Sequence, residues 1–315
     1  MSTSLAQTLE MYLALRRALG TRLRGPALHL RRFVEFMEDQ GAAFITTELA
    51  LRWATAPAHA SAATCAQRLG DVRRFAAWLS ATDGRTQVPP AGLLRERFRR
   101  RPPYLYSENE IARLLREATG LPSPGGLRGH TYATLFGLLA ATGLRVSEAL
   151  ALDRDDVDLA GGLLSVQHTK FGKSRWVPVH VSTCQALRRY ALRRDQLVPH
   201  PVSSAFLLSE RGTRLTGDSA RYIFALVSRA VGLRPPVPRG HKGRGPRLHD
   251  LRHGLAVQTL LRWYREGRDV ERELPKLSTY LGHAHVADTY WYLQGVPELL
   301  LLATERVTRG HGERP

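Results

Sequence analysis

A chain of 315 residues with 43% hydrophobic side chains is long enough to bury more than one core, so two domains are the default expectation. Its 46 lysines and arginines against 28 aspartates and glutamates leave a formal charge of +18, which points to a polyanionic partner, either nucleic acid or an anionic membrane surface. No apolar run approaches the length of a membrane span and the opening MSTSLAQTLE lacks a basic-then-apolar signal pattern, so the membrane reading falls away; Cys65 and Cys184 lie too far apart to suggest a disulfide framework or a cysteine zinc site, which fits a reducing, cytoplasmic compartment.

The first hundred residues read as amphipathic helices. Leu30, Phe33, Val34 and Met37 recur at helical spacing, as do Leu69, Val72, Phe75, Ala76 and Leu79. Arg31, Arg32, Arg68, Arg73 and Arg74 fall off those stripes, where a solvated face and a phosphate contact are equally good readings. Residues 1 to 101 hold 16 arginines against 8 acidic residues, a local +8. The stretch RERFRRRPP, from Arg95 to Pro103, then combines a charge run with two prolines and reads as an extended basic linker. The expected domains are therefore 1–98, a linker at 99–106, and 107–315.

Beyond the linker, Ser107 and Glu110 form a capping-box signature that opens a helix. YATLFGLLAA at 132–141 is apolar nearly all round and predicts a buried helix, which Thr142 and Gly143 break before Arg145-Val146-Ser147-Glu148 starts another. The pattern turns strand-like at LLSVQH and RWVPVH between 163 and 180, joined by Thr169-Lys170-Phe171-Gly172-Lys173-Ser174, so a hairpin is expected with helices resuming near Ser182. RPPVPRGHKGRGPR, from Arg234 to Arg247, reads as a mobile positive loop leading into His249.

Taken singly, the polar residues of this second domain have ordinary explanations. Arg145 could pair with Glu148 at i,i+3, His249 and Arg252 could lie on an exposed helix face, His283 could be a satisfied core histidine, and Tyr292 a half-buried aromatic. His249 and His253 stand at a spacing that can hold zinc, and His283 and His285 lie downstream, but Asp250 follows the first histidine where zinc proteases carry Glu, so no metal is expected. Lysine usage is more telling. Only Lys170, Lys173, Lys242 and Lys276 are lysine among 46 basic residues, and two of them share the hairpin turn. Lysine, unlike arginine, can be tuned to give up its proton.

The order and spacing of these residues are another matter. ATGLRVSE at 141–148, the lysine-bearing turn at 169–176, HDLR at 249–252, LGH at 281–283 and Tyr292, nine residues after His283, together resemble the tyrosine recombinase (integrase) family over the region from about 105 to the C-terminus. The preceding helical region is similar in size and position to that family's core-binding domain. The resemblance implies a mainly α fold with a small antiparallel sheet, arranged as a two-domain C-shaped DNA clamp, and no metal or nucleotide cofactor. It also implies the roles. Arg145 and Arg252 would clamp one phosphodiester, Tyr292 would be the nucleophile, Lys170 the proton donor to the leaving 5′ oxygen, His249 the partner exchanging a proton with the tyrosine, and His283 a hydrogen-bond donor to the phosphate.

Chemistry agrees with those assignments. Forked guanidinium donors stabilise a pentacoordinate phosphorane more than the ground state, a phosphotyrosine conserves bond energy for religation, and a lysine lowered in pKa by nearby arginines can supply a proton. Lys170 acting only as a phosphate contact stays open, while Lys173 looks more like a DNA contact. Arg68, Arg73, Arg74, Lys242 and Arg244 are further candidate DNA contacts. Tyr290 competes with Tyr292 as nucleophile, but two residues apart on a helix they face nearly opposite sides.

The expected partners are double-stranded DNA with inverted half-sites, a homodimer on each site, a tetramer in the synapse, and sister recombinases of a bacterial mobile element, in a nucleoid-associated cytoplasmic setting. After Gly295 and Pro297, the run Glu298 to Ala303 carries four consecutive leucines, which predicts a short helix docked on a neighbouring protomer or, alternatively, on its own domain. The rival functions are a type IB topoisomerase, which shares the chemistry, and a DNA-binding accessory protein without activity.

Overall fold

The computed structural model describes residues 4–21, 23–94, 102–167, 174–236, 245–294 and 298–302. The chain divides into two compact units, Met1–Arg100 and Arg101–Pro315.

The first unit is built from α1 (Leu5–Ala18), α2 (Arg24–Asp39), α3 (Thr47–Thr55) and α4 (Ala62–Leu79). Ser4, Thr46 and Ser61 cap three of these helices by accepting from backbone N–H groups two or three residues into the helix, which meets donors the helix cannot satisfy itself. All nine stripe residues named above for α2 and α4 are buried. They pack with Leu9, Leu13, Ile45 and Trp53 around a cluster in which Phe33 meets Trp53 edge-on and Tyr12 lies against Phe75. Burial of this kind contributes roughly 1.5–3 kcal/mol per large side chain, so the helices hold by packing far more than by propensity.

The second unit runs α5 (Glu108–Thr119), α6 (Arg128–Thr142), α7 (Val146–Ala151), β1 (Val157–Asp158), β2 (Leu163–Val166), β3 (Arg175–Pro178), α8 (Val181–Leu197), α9 (Gly217–Ala230), α10 (Leu248–Arg265), α11 (Val270–Leu281) and α12 (Ala287–Gln294), with a further helical segment at 298–302. Ser107 and Glu110 form the expected reciprocal capping box of α5. The three strands form one antiparallel sheet in the order β1-β2-β3, with Leu164 opposite Val177 and Val166 opposite Arg175. Leu164, Val166 and Val177 point into the core while Trp176 faces out, the period-two alternation of a half-buried sheet. The hairpin is shorter than LLSVQH and RWVPVH suggested, and β1, with two residues, is an addition to it.

Two apolar clusters stabilise this unit. The larger gathers α5, α6, α8, α9 and the sheet around Phe136, Phe206 and Phe224. The smaller joins α10, α11 and α12 through Val257, Leu260, Leu274, Leu281 and Tyr292. Helix α6 packs against α5, α8 and α10, and α10 in turn against α11 and α12; the first turns of α10 and the end of α11 meet the end of α6, where Arg252 donates to the carbonyls of Gly143 and Leu281. Gly143, in left-handed conformation at φ +62°, ends α6 there and lets Arg145 cap α7.

Candidate active site

Three guanidinium groups converge on the last turn of α11. Arg175 on β3 donates from Nε to the carbonyl of Tyr280 at 2.9 Å, Arg252 on α10 from Nη2 to that of Leu281 at 2.7 Å, and Arg145 at the start of α7 from Nη2 to that of Gly282 at 2.8 Å. Helix-end carbonyls lack partners within the helix and sit at the negative end of its dipole, so cations are held there favourably. Gly282 closes α11 in left-handed conformation, at φ +69°.

Glu148 is the acidic member of the cluster. Its carboxylate accepts from Arg145 Nη1 at 2.6 Å and from the Arg145 backbone N–H at 3.0 Å, and forms a fork with Arg175 at 3.2 and 2.8 Å. Burial alone would raise its pKa, but hydrogen bonds from Arg175 and Arg145 and their charges outweigh it and hold the carboxyl below the ordinary range. The i,i+3 pairing of Arg145 with Glu148 thus exists inside the cluster rather than in place of it. Arg252, only 2% exposed, also donates from Nη1 to Gly143 O at 2.7 Å. Burial pushes its pKa down to about 10, with Tyr292 opposing and Arg145 adding to the shift, so it remains charged at neutral pH.

The two histidines sit in this positive field. His283 is pushed down to about 4 by burial first and then by Arg252 and Arg145, and its Nδ1 lies 2.7 Å from the hydroxyl of the fully buried Thr289. His249 opens to solvent at the start of α10, yet the crowding of its ring and the charge of Arg252 lower its pKa as well. Both are neutral at physiological pH. A neutral imidazole carries one N–H donor and one acceptor nitrogen, so each can take part in proton exchange.

Tyr292 completes the group. It is 3% exposed, stacked on His283 with ring centroids 6.0 Å apart and edge-on to His253 at 5.3 Å, whereas Tyr290 on the same helix is 45% exposed. His253 links Tyr292 to His249, whose ring it meets at 4.5 Å. Arg145, His249, Arg252, His283 and Tyr292 are therefore brought together from α7, α10, α11 and α12, joined by Glu148 of α7, seen in the sequence only as a partner of Arg145, and by Arg175 of β3, which the sequence did not single out.

Residues 105–297 match the model of the phage integrase family. The chain belongs to that family, the site-specific tyrosine recombinases. The protein y4rB of Sinorhizobium fredii, described as an integrase/recombinase, is 48% identical over 98% of each chain. Tyrosine recombinase XerC of Mycobacterium tuberculosis is 32% identical, over 90% of this chain and 91% of its own. Among solved structures, the Tn1549 transposon integrase in complex with transposon right end DNA shares the fold at TM-score 0.65 and 16% identity, over 96% of this chain and 99% of that one.

Lys170, Lys173, Lys242 and Arg244 lie outside the described residues, as do residues 95–101 of the basic linker and 237–244 of the basic loop. In the first unit of this integrase-family chain, Arg68 lies over the Trp53 ring at 3.7 Å and donates to the Trp53 carbonyl at 2.7 Å, and Arg74 pairs with the buried Asp71. Arg73, partly exposed, has no carboxylate partner among the described residues. An open groove of about 700 Å³ between α5, α6 and α8, lined by Leu115, Ala133, Gly137, Leu187 and Tyr190, contains none of the candidate residues. Metal-ligand clusters are absent among the described residues, and no described helix is long and apolar enough to cross a membrane.

The leucine run at the end of the chain divides its contacts. Leu299 is fully buried in the α10–α11–α12 cluster of its own unit and Glu298 pairs with Arg265 at 2.6 Å, while Leu300 and Leu301 remain exposed. The segment thus has a seat on its own domain, the alternative left open beside docking on a neighbour.

Proposed function

We propose that this recombinase cleaves DNA at a specific site with Tyr292 as nucleophile. The observation that carries the reading is the burial of Tyr292 among His283, His253 and the charge of Arg252, with Tyr290 turned to solvent. The tyrosyl oxygen bonds to phosphorus as the bond to the 5′ oxygen breaks. The tyrosine proton passes to His249, and Lys170 protonates the departing oxygen, leaving a 3′-phosphotyrosine that the reverse sequence religates. Arg145 and Arg252 stabilise the extra charge of the transition state. In this reading the Thr289 hydroxyl, 2.7 Å from Nδ1, is the donor of that contact, which leaves the proton of neutral His283 on Nε2 for the phosphate. No metal or nucleotide enters this chemistry. Because Tyr292 is buried in the free chain, engagement of DNA has to shift α12 or the ring before attack.

The partner is duplex DNA with inverted half-sites, bound by a dimer, with two dimers forming the synapse. Arg73, Arg68 and Arg74 of the first unit, and Lys173, Lys242 and Arg244 of the second, are the proposed backbone contacts, and the net +18 favours such binding. The exposed Leu300 and Leu301 are proposed to meet a neighbouring protomer. Two relatives from one Sinorhizobium fredii strain, 48% and 42% identical, fit a set of sister recombinases, and a nucleoid-associated location follows from the DNA partner.

The test uses nicked suicide duplexes tiled across the DNA flanking the gene for this chain. A covalent adduct to the 3′ phosphate is expected with the natural chain and with Tyr290→Phe, and none with Tyr292→Phe, which still binds. Loss of the adduct in Tyr290→Phe alone refutes the assignment. Gel shifts on one and two half-sites read the dimer, where cooperativity unaffected by deletion of residues from Pro297 onward excludes the tail contact. Whether this chain alone completes strand exchange decides the need for a sister.

A further inference from the structure

All three nitrogens of the Arg175 guanidinium are engaged within the protein. Its Nε takes the Tyr280 carbonyl, and Nη1 and Nη2 both reach Glu148, the carboxylate that also holds Arg145. At 11% side-chain exposure it faces the protein rather than a ligand. A side chain on Gly282 would come within 2.5 Å of Nη1 and 2.7 Å of Cζ, so the turn that leads to His283 is shaped against this guanidinium. Arg175 also stands at the first position of β3, five residues after Lys170 in sequence. One side chain therefore touches both the carboxylate behind Arg145 and the helix end that carries His283.

We propose that Arg175 is a positioning residue of the recombinase reaction, acting through Glu148 on Arg145 and through the end of α11 on His283. The inference rests on the roles proposed above for Arg145 and His283. Two physical effects make it consequential. The first is charge. Arg145, Arg175, Arg252 and Glu148 sum to +2, and without Arg175 the sum falls to +1, with the Glu148 carboxylate left to Arg145 alone. An undivided ion pair with Glu148 withdraws Arg145 from a phosphate and offsets its charge there. The second is geometry. The Arg175 fork holds both Glu148 oxygens in the orientation in which Oε1 also meets Arg145 Nη1 and Oε2 the Arg145 backbone N–H, and bidentate pairing sets direction as well as energy. Displacement of a catalytic group by about 1 Å can cost about 100-fold in rate.

Arg175→Ala is expected to lower the rate of covalent adduct formation on the duplex cleaved by the natural chain by about 100-fold, with half-site binding unchanged. Arg175→Lys keeps the charge without the fork and is expected to recover part of that loss. Combining Arg175→Ala with Glu148→Gln restores the +2 and is likewise expected to regain rate. The decisive readout is a duplex whose scissile phosphate is replaced by a methylphosphonate. That centre carries no negative charge, so it depends far less on Arg145, and the deficit of Arg175→Ala relative to the natural chain is expected to shrink on it. A role confined to holding the fold together predicts an equal deficit on both substrates, and that result overturns the inference, as does a natural rate for Arg175→Ala. Should Arg175→Ala fail to fold, Arg175→Lys and Arg175→Gln are read on the same two substrates with the same criteria. If the natural chain forms no adduct on any duplex, the recombinase reading fails first and the inference with it; an adduct from the natural chain together with unaffected Arg175 variants sinks the inference alone.

Discussion

Replacing Gly282 with alanine tests whether the end of α11 is built against Arg175. Two costs separate cleanly. The residue sits at φ +69°, where a side chain costs about 1–2 kcal/mol. Gly267 supplies the control, since it has φ +68° and nothing within 4 Å of an added Cβ, so Gly267→Ala is expected to lose that strain term only. At Gly282 the new Cβ would also lie 2.5, 2.7 and 3.1 Å from Nη1, Cζ and Nε of Arg175, so the guanidinium has to shift from its fork with Glu148. Breaking a buried pair costs about 3–5 kcal/mol, and because Glu148 keeps Arg145 the lower figure applies. Gly282→Ala should therefore destabilise the second unit by about 3 kcal/mol more than Gly267→Ala in urea unfolding. In an Arg175→Ala background the obstacle is gone and the excess should vanish, a coupling that a double-mutant cycle measures directly. Equal losses at Gly282 and Gly267, or an excess that survives without Arg175, would refute the reasoning.

Lys170→Ala should slow cleavage severely, and a duplex with sulfur in place of the bridging 5′ oxygen should restore much of the rate, because a thiolate leaves without a proton; absence of rescue removes the general-acid role, while Lys173→Ala should only weaken binding in a salt-dependent way. His283 binds a proton more weakly in the fold, with a pKa of about 4, than in the unfolded chain at its ordinary 6.5, so stability is whole above 6.5 and falls as pH drops toward 4, by about 3 kcal/mol at the limit. His249 acts in the same direction. His283→Gln should flatten that acid limb in unfolding measured from pH 7 to 4, and an unchanged limb would show that the loss arises elsewhere.

Much of this was legible in the sequence because it depends on local pattern. Apolar spacing fixed the buried faces of α2 and α4, a capping box marked the start of α5, and the order of ATGLR, HDLR, LGH and Tyr292 named five of the residues that converge. Glu148 was visible only as a local partner of Arg145. Arg175 carried no signal of its own in a chain so rich in arginine, since its partners Tyr280 and Glu148 are 105 and 27 residues away in sequence and become neighbours only when β3 meets α11. Strand β1 escaped for a different reason, as two residues are too few to express a period. The engagement of Arg68 with Trp53 was equally hidden, because an arginine stacked on a ring carries no mark of it in sequence.

Gathering three arginines at one point is costly, and the way this chain meets the cost bears on how the site works. Arg252 is almost fully buried, and the neighbouring charge of Arg145 opposes it further, yet its forked donors end on two backbone carbonyls, Gly143 and Leu281, that would otherwise lack partners. The adjacent carbonyls of Tyr280 and Gly282 do the same for Arg175 and Arg145, and the negative end of α11 opposes all three charges. Glu148 neutralises one charge of the three and leaves an excess of +2 beside Tyr292. A phosphodiester brings one negative charge and its pentacoordinate transition state brings more, so the residual excess is matched better by the transition state than by the bound substrate. Because backbone carbonyls of the folded chain hold the guanidinium groups, the work of assembling the cations is done by folding, and the rearrangement left for strand transfer is that of Tyr292.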